Sequence, residues 1–104
     1  MAGLGKFLKQ AQKMQEQMQR VQEDLARREV EGSAGGGAVK AVARCDGSVA
    51  AVKIDPKVVD PNDVEMLEDL VLGAVQNALE IAKKTQAQEM NKVTAGMNLP
   101  GMSM

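Results

Sequence analysis

Apolar residues recur along the first 25 positions with spacings that alternate between three and four residues. This period of about 3.5 residues is typical of a long helix that presents a narrow apolar seam. The pattern leaves two arrangements open: packing against the protein's own sheet, or pairing with another helix in an antiparallel or dimeric arrangement. The seam consists of Leu4, Phe7, Ala11, Met14, Met18, Val21 and Leu25.

From Glu29 the alternation changes to every second residue, which predicts strands. A first strand around Val30 is expected to end at the glycine-rich run GSAGGG. The stretch AVKAVARCDGSVAAVKIDP then predicts a hairpin with Asp46 and Gly47 as a two-residue turn. In this register Cys45 opposes Ser48, Ala43 opposes Ala50, Ala41 opposes Val52 and Val39 opposes Ile54, and the apolar members of these pairs share the core face.

The same register places Lys40 opposite Lys53 on the outer face of the sheet, with Arg44 nearby. Because like charges directly opposite each other are unfavourable in a sheet, an acidic neighbour is expected. Glu29 or Glu31 of the first strand would supply it. A solvated, self-neutralised face is the favoured interpretation, and an anion-binding face is the alternative.

A second long helix is predicted from Asp60, with that residue as N-cap, Pro61 at the first position and carboxylates in the first turn. Its wide apolar face can cover the sheet, and Gly73 within it indicates close backbone contact. The helix is expected to stop near Gly96, so that residues 1–96 form one domain and 97–104 a flexible tail. The apolar face comprises Val64, Leu67, Leu70, Val71, Ala74, Val75, Ala78, Ile81 and Ala82.

The composition limits the core that one copy of the chain can build. The 104 residues include one Phe and neither Trp nor Tyr, so large core side chains are scarce. This shortage predicts a core completed by a second copy. Because the sequence contains neither a signal-peptide pattern nor an apolar run of membrane-spanning length, a cytoplasmic protein without membrane attachment is expected.

The residues that usually carry catalysis or bind metals are scarce. The chain has no histidine, and Cys45 is its one cysteine. The glycine run lacks the Gly-Lys-Ser/Thr order of a phosphate loop, since Lys40 follows Val39 within a strand pattern. We therefore expect no metal, no cofactor, no small-molecule substrate and no enzymatic activity.

The net charge of −1 conceals an uneven distribution. Residues 1–28 carry +3 and residues 82–104 carry +2, whereas residues 56–81 carry −5. Basic side chains on protruding helices can neutralise phosphates without reading base sequence, although such charges are also found on simply solvated faces. With Phe7 as the one aromatic residue, recognition of single strands by stacking on bases is not expected.

The order of these segments resembles the YbaB/EbfC family of bacterial nucleoid-associated proteins. The resemblance rests on KQAQKMQ, on VKIDP followed by EMLEDLV, and on the closing NLPG, and it spans nearly the whole chain. It implies an α+β protomer of order α-β-β-β-α, with a three-stranded antiparallel sheet flanked by two long helices, in a tweezers-like homodimer that binds double-stranded DNA. The implied phosphate contacts are Lys6, Lys9, Lys13 and Arg20 on the first helix and Lys83, Lys84 and Lys92 on the last.

The expected function is therefore that of a nucleoid-associated protein that alters DNA conformation and influences transcription with little sequence preference. Since the chain is slightly acidic overall, binding must rely on local basic patches and should be weak and sensitive to salt. The alternative is a protein–protein adaptor or holdase-like clamp that grips a polypeptide with its Met- and Gln-rich helix.

Overall fold

A computed structural model describes the backbone of residues 2–96 and the side chains of residues 3–93. The elements follow the order helix, three strands, helix, which confirms the predicted α+β class. The predicted tail, 97–104, lies outside the described residues. The elements are α1 (Ala2–Arg27), β1 (Glu29–Ala34), β2 (Val39–Arg44), β3 (Val49–Ile54) and α2 (Val64–Gly96), with short 3₁₀ turns at Gly35–Gly37 and Pro56–Val58.

The three strands form one antiparallel sheet in the order β1-β2-β3, and α2 packs against one of its faces. The residues buried at this contact are mostly small, so the helix lies close to the strands. Leu25 and Cys45 complete the buried core at the end of the sheet where α1 joins it. The buried residues on the strands are Val39, Ala41 and Ala43, and those on α2 are Ala74, Ala78 and Ala82.

β1 continues through the glycine at which a break was expected. It includes Gly32 and Ser33 and ends at Ala34. A Cβ atom on Gly32 would lie 2.2 Å from the backbone nitrogen of Ala78. Gly32 is therefore the position of closest approach between sheet and helix, because any side chain there would push the two backbones apart.

Gly73 has a smaller steric role than its position in the helix predicts. A Cβ atom added there would lie 3.4 Å from the Cβ atom of Ala34, at the edge of ordinary van der Waals contact. The close approach of the two backbones occurs one turn further along α2, opposite Gly32.

The hairpin register is confirmed for Val39–Ile54, Lys40–Lys53 and Ala41–Val52 but is wrong beyond them. Ala43 pairs with Val49 and not with Ala50, since a β-bulge shifts the register by one residue. The connection is also longer than a two-residue turn: the Arg44 N–H donates to the Ser48 carbonyl at 2.8 Å, with Gly47 at a φ of 95°. A left-handed glycine after a tight turn is typical of three-residue hairpin loops.

The predicted cap of α2 is displaced by three residues. The helix begins at Val64, and the Asp63 carboxylate accepts a hydrogen bond from the Met66 N–H at 3.2 Å, which is the N-cap arrangement. Asp60 instead organises the preceding turn, where its carboxylate accepts from the Asn62 N–H at 2.9 Å. Pro61 therefore lies in that turn and not at the first helical position. The helix extends to Gly96, the last residue whose backbone the structure describes.

α1 leaves the sheet and projects from it, and the described chain measures 74 Å along its longest axis. Leu25 is buried and Val21 packs against the core, whereas every side chain from Gly3 to Gln17 is exposed. We call residues 2–20 the arm and the remaining described residues the body. No helix in the described part of the chain is long and apolar enough to cross a membrane.

Candidate nucleic-acid interface

The basic residues of the arm lie on one side of α1. At about 100° of rotation per residue, Lys6, Lys9, Lys13 and Arg20 fall within about 60° of the helix circumference. This basic stripe, as we call these four residues, lies nearly opposite the apolar seam. All four side chains are exposed, and none has an ion pair within the described residues.

Arg27 extends the stripe, although sequence reasoning did not select it. It lies seven residues beyond Arg20, two helical turns further on the same side, and its side chain is exposed. The signal that could have identified it was the helical period itself. Two acidic residues, Glu16 and Asp24, lie along this side of α1, so the positive charge is not continuous.

The candidate residues on α2 do not form a single surface. Lys83 and Lys84 are exposed, on the side of α2 away from the sheet, because the preceding Ala82 is buried against it. Lys92 lies elsewhere on the helix, and its Nζ atom is 3.2 Å from the Oε1 atom of Glu89. The structure thus separates Lys92 from the other two lysines.

Glu89 joins the root of the arm to α2. Its Oε1 atom accepts from the Arg28 Nη1 atom at 2.9 Å as well as from Lys92. The hydrogen bond from Arg28, followed by that from Lys92, lowers the pKa of the Glu89 carboxyl below its ordinary value. Lys92 and Arg28 are therefore partly neutralised within the protein, and the Arg28 contact ties the residue that follows α1 to α2, whereas the Lys92 contact lies within α2.

A continuous apolar surface of the body is left uncovered beside α2. It combines the α2-facing side of β3 with the neighbouring flank of the helix, where an open groove is lined by four apolar residues of α2 and by Glu68. α2 lies mainly over β1 and β2, so the third strand receives little cover. This apolar patch consists of Val49, Val52 and Ile54 on β3 and Leu67, Val71, Leu72 and Val75 on α2.

The two edges of the sheet differ. At the β1 edge, the Ser33 N–H donates to the Oδ1 atom of Asn77 on α2 at 3.0 Å, so a helix side chain occupies part of that edge. β3 forms the other edge and pairs with β2 alone. The apolar patch thus borders the strand whose outer backbone groups are available to pair with another chain.

The outer face of the sheet does not neutralise itself as expected. Glu29 lies opposite Arg44, which gives one favourable pair of charges. The partner of Glu31, however, is Val42. Among the described residues neither Lys40 nor Lys53 makes an ion pair, since the ion pairs found there both involve Glu89.

Cys45 is buried beside Arg28 and Thr85, as its position in the strand pattern predicts. Burial raises the pKa of its thiol above the ordinary value, and the neighbouring Arg28 charge opposes this only in part. A buried thiol with a raised pKa is a poor nucleophile, so Cys45 acts here as a small apolar residue.

The family can be assigned from the whole length of the chain. Residues 1–97 match the model of the YbaB/EbfC DNA-binding family, a match that covers the arm, the sheet and α2. The chain belongs to the YbaB/EbfC family.

Relatives within the YbaB/EbfC family are similar over nearly their full length. A nucleoid-associated protein of Clostridium novyi is 50% identical over 99 residues, covering 95% of this chain and 87% of the relative. One of Caldanaerobacter subterraneus is also 50% identical over 99 residues, covering 95% and 89%. A nucleoid-associated protein of Nocardia farcinica is 48% identical over 96 residues, covering 92% and 87%.

A solved structure has the same fold. An uncharacterized protein from Helicobacter pylori superposes with a TM-score of 0.64, covering 78% of this chain and 94% of the other. Its sequence is only 15% identical, so the likeness concerns the fold alone.

Proposed function

We propose that this protein binds double-stranded DNA as a nucleoid-associated homodimer with little sequence preference. The observation that carries the proposal is the basic stripe on an arm that projects from the body, in a chain of the YbaB/EbfC DNA-binding family. Relatives at 50% identity are named nucleoid-associated proteins, which supports a place on the bacterial nucleoid. Such binding would alter DNA conformation and thereby influence transcription.

The mechanism is neutralisation of phosphates by the stripe. From Lys6 to Arg20 the stripe extends about 21 Å along α1, since a helix rises about 1.5 Å per residue. That length corresponds to about six phosphates along one strand of a duplex. Gln10 and Gln17, which flank the stripe on α1, add hydrogen-bond donors beside it. Contacts of this kind fix the protein on the backbone of DNA and read no bases.

The apolar patch supports the homodimer of this proposal. A second copy is the occupant that fits it best, because the patch is continuous with a core of small residues that one chain leaves incomplete. Pairing through the open β3 edge would join two sheets and bury the patch in the same step. Two arms, one from each protomer, would then project from a common body.

Two leucines of nearly equal exposure allow a controlled test of this interface. Leu72, in the patch, is 56% exposed, and Leu8, in the arm, is 57% exposed. We expect Leu72→Gln to shift the protein toward the monomer in sedimentation-velocity experiments, and Leu8→Gln to leave the dimer intact. A monomeric wild-type protein, or equal effects of the two substitutions, would contradict this interface.

The DNA-binding proposal is tested by titrating a duplex of arbitrary sequence at several salt concentrations. Replacing Lys6, Lys9 and Lys13 by Gln removes three phosphate contacts per chain, so the slope of log affinity against log salt should become shallower by about 2.7 per chain. The matched control replaces the same lysines by Arg, which keeps the charge and should keep the slope. If wild type binds no duplex even at low salt, the proposal fails.

The clamp is retained as a second candidate because of the apolar residues on the arm. Leu4, Phe7 and Leu8 are exposed near its tip, and Met14 is exposed further along. Binding of an unfolded polypeptide to these residues would depend little on salt, in contrast to DNA binding. A ligand held with the same affinity at low and high salt would favour the clamp.

A further inference from the structure

The outer face of the sheet carries a pair of lysines that form no ion pair with any residue the structure describes. Lys40 and Lys53 occupy directly opposite positions on β2 and β3, and Ser33 of β1 lies opposite Lys40 on its other side. These three positions form a single cross-strand row, which we call the Lys40 row. It offers an alcohol and two ammonium groups, and it contains no carboxylate.

This arrangement opposes folding unless an anion is present. Like charges directly opposite each other in an antiparallel sheet are destabilising. Neither carboxylate of β1 lies directly opposite these lysines: Glu29 faces Arg44, and Glu31 faces Val42 in the adjoining row and makes no ion pair with Lys40 or Lys53 among the described residues. Lys40 and Lys53 are both exposed, so a ligand can reach them.

The row is distinct from the basic stripe of the arm. α1 joins the sheet at the end where Glu29 pairs with Arg44, the last residue of β2. Lys40 lies four residues away from Arg44, near the other end of the strand. At about 3.4 Å per residue, the row is about 13 Å beyond that junction, on the side opposite to α2. The arm extends away from the junction, so the two basic surfaces are separated along the molecule.

The row stays accessible in the dimer proposed above. That interface would bury the apolar patch on the α2-facing side of the sheet, whereas Lys40 and Lys53 point to the other side. Because Lys53 lies on the β3 edge, pairing of two β3 strands would bring both Lys40 rows onto one continuous surface. Four ammonium groups would then lie across the joined sheet.

We propose that the Lys40 row is a second DNA-binding surface, which neutralises backbone phosphates independently of the arm. Phosphates suit the row because their oxygens accept hydrogen bonds from both ammonium and hydroxyl groups and carry the missing negative charge. The inference rests on the DNA-binding function proposed above. The phosphates come either from the duplex held by the arms or from a second duplex bridged to it.

The test compares two variants with equal loss of charge. Lys40→Gln/Lys53→Gln removes both charges of the Lys40 row. The control, Arg44→Gln/Lys57→Gln, also removes two charges: Arg44 faces Glu29, and Lys57 lies beyond the sheet. Duplex titrations at several salt concentrations give the slope for each. A second assay uses a biotinylated duplex on beads and measures how much of a fluorescent duplex the bound protein captures.

If the row binds the duplex held by the arms, its removal should make the salt slope shallower by about 1.8 per chain, and the control should not. If it binds a second duplex, its removal should abolish capture of the fluorescent DNA and leave binding to the bead-bound duplex intact. The inference would be overturned if the Lys40→Gln/Lys53→Gln variant had the same salt slope and captured the same amount of fluorescent duplex as wild type or the control variant. That result would leave the function of the arm standing, whereas wild-type protein that binds no DNA would remove both.

Discussion

The body and the arm use apolar residues in opposite ways. In the body the buried residues between sheet and α2 are small, and the largest fully buried side chains are Leu25, Val39 and Cys45. In the arm the apolar residues are large, and those near the tip, Leu4 and Phe7, are exposed. Close backbone packing therefore holds the body together, whereas the arm presents large side chains and charges to its surroundings.

This difference shows where stability and function reside. A helix that contacts a sheet through alanine and glycine tolerates little change, because no flexible side chain can yield. An exposed helix tolerates substitution well, since its residues contact mainly solvent. Mutations in the body should thus affect folding, and mutations in the arm should affect binding.

The largest effect on the body is expected for Gly32→Ala. The new methyl group would lie 2.2 Å from the backbone nitrogen of Ala78. Overpacking usually costs about 1–3 kcal/mol, but here the obstructing atoms are backbone, so we expect the free energy of unfolding to fall by more than about 3 kcal/mol. Urea denaturation followed by circular dichroism measures this loss.

Gly5→Ala in the arm is the matched control for that substitution. A Cβ atom on Gly5 would have no neighbour within 4 Å. Since alanine favours a helix over glycine by about 1 kcal/mol, the arm should become more helical and the urea midpoint should not fall. Comparable destabilisation by the two substitutions would contradict the distinction between body and arm.

The next largest effect is expected for Leu25→Ala, at the root of the arm. Leu25 is 1% exposed, so truncation should lower the free energy of unfolding by about 3 kcal/mol. Leu4→Ala is the control, because Leu4 is 61% exposed and its loss should change stability by less than about 0.5 kcal/mol. Thermal unfolding measures both losses. If Leu4→Ala lowered stability as much as Leu25→Ala does, the tip of the arm would be packed against other residues and not exposed to solvent.

The smallest effect is expected for Glu89→Gln, which weakens the contact between α2 and Arg28, the residue that follows α1. The pKa of the Glu89 carboxyl is lower in the folded chain than its ordinary value of 4.5, which applies to the unfolded chain. The ionised carboxylate therefore stabilises the fold fully at a pH above 4.5, and this contribution is lost as the pH falls through the lower pKa of the folded chain. Wild type should therefore lose stability below pH 4.5 more steeply than the variant. If the free energy of unfolding of wild type and of Glu89→Gln fell equally as the pH was lowered, the bonds from Arg28 and Lys92 to Glu89 would contribute nothing to stability.

Much of the fold could be predicted because the patterns are long and regular. The seam from Leu4 to Leu25 and the apolar face of α2 identified both helices, and strand alternation located Lys40 opposite Lys53. The errors occurred where short-range geometry decides the outcome. Asp60 and Asp63 both suit an N-cap, and a bulge near Ala50 changes the pairing of Ala43 without changing the alternation of the strand.

The candidate site was predictable only in part. Helical spacing places Lys6, Lys9 and Lys13 on one side of α1 as soon as the helix is recognised. The ion pair between Lys92 and Glu89 has a local signal, a separation of three residues. The bond from Arg28 to Glu89 joins positions 61 residues apart, so no local pattern indicates it.

The sequence by itself determined the order of the elements, the amphipathic character of both helices and the clustering of positive charge near the ends of the chain, since each depends on local spacing and composition. The tertiary structure decided which apolar residues are covered. Leu25 and Leu4 belong to one seam, yet only Leu25 reaches the body, because the sheet ends where α1 begins to project. It also decided that neither Lys40 nor Lys53 forms an ion pair among the described residues, since the acidic candidates come from β1, whose register against β2 the local pattern does not fix.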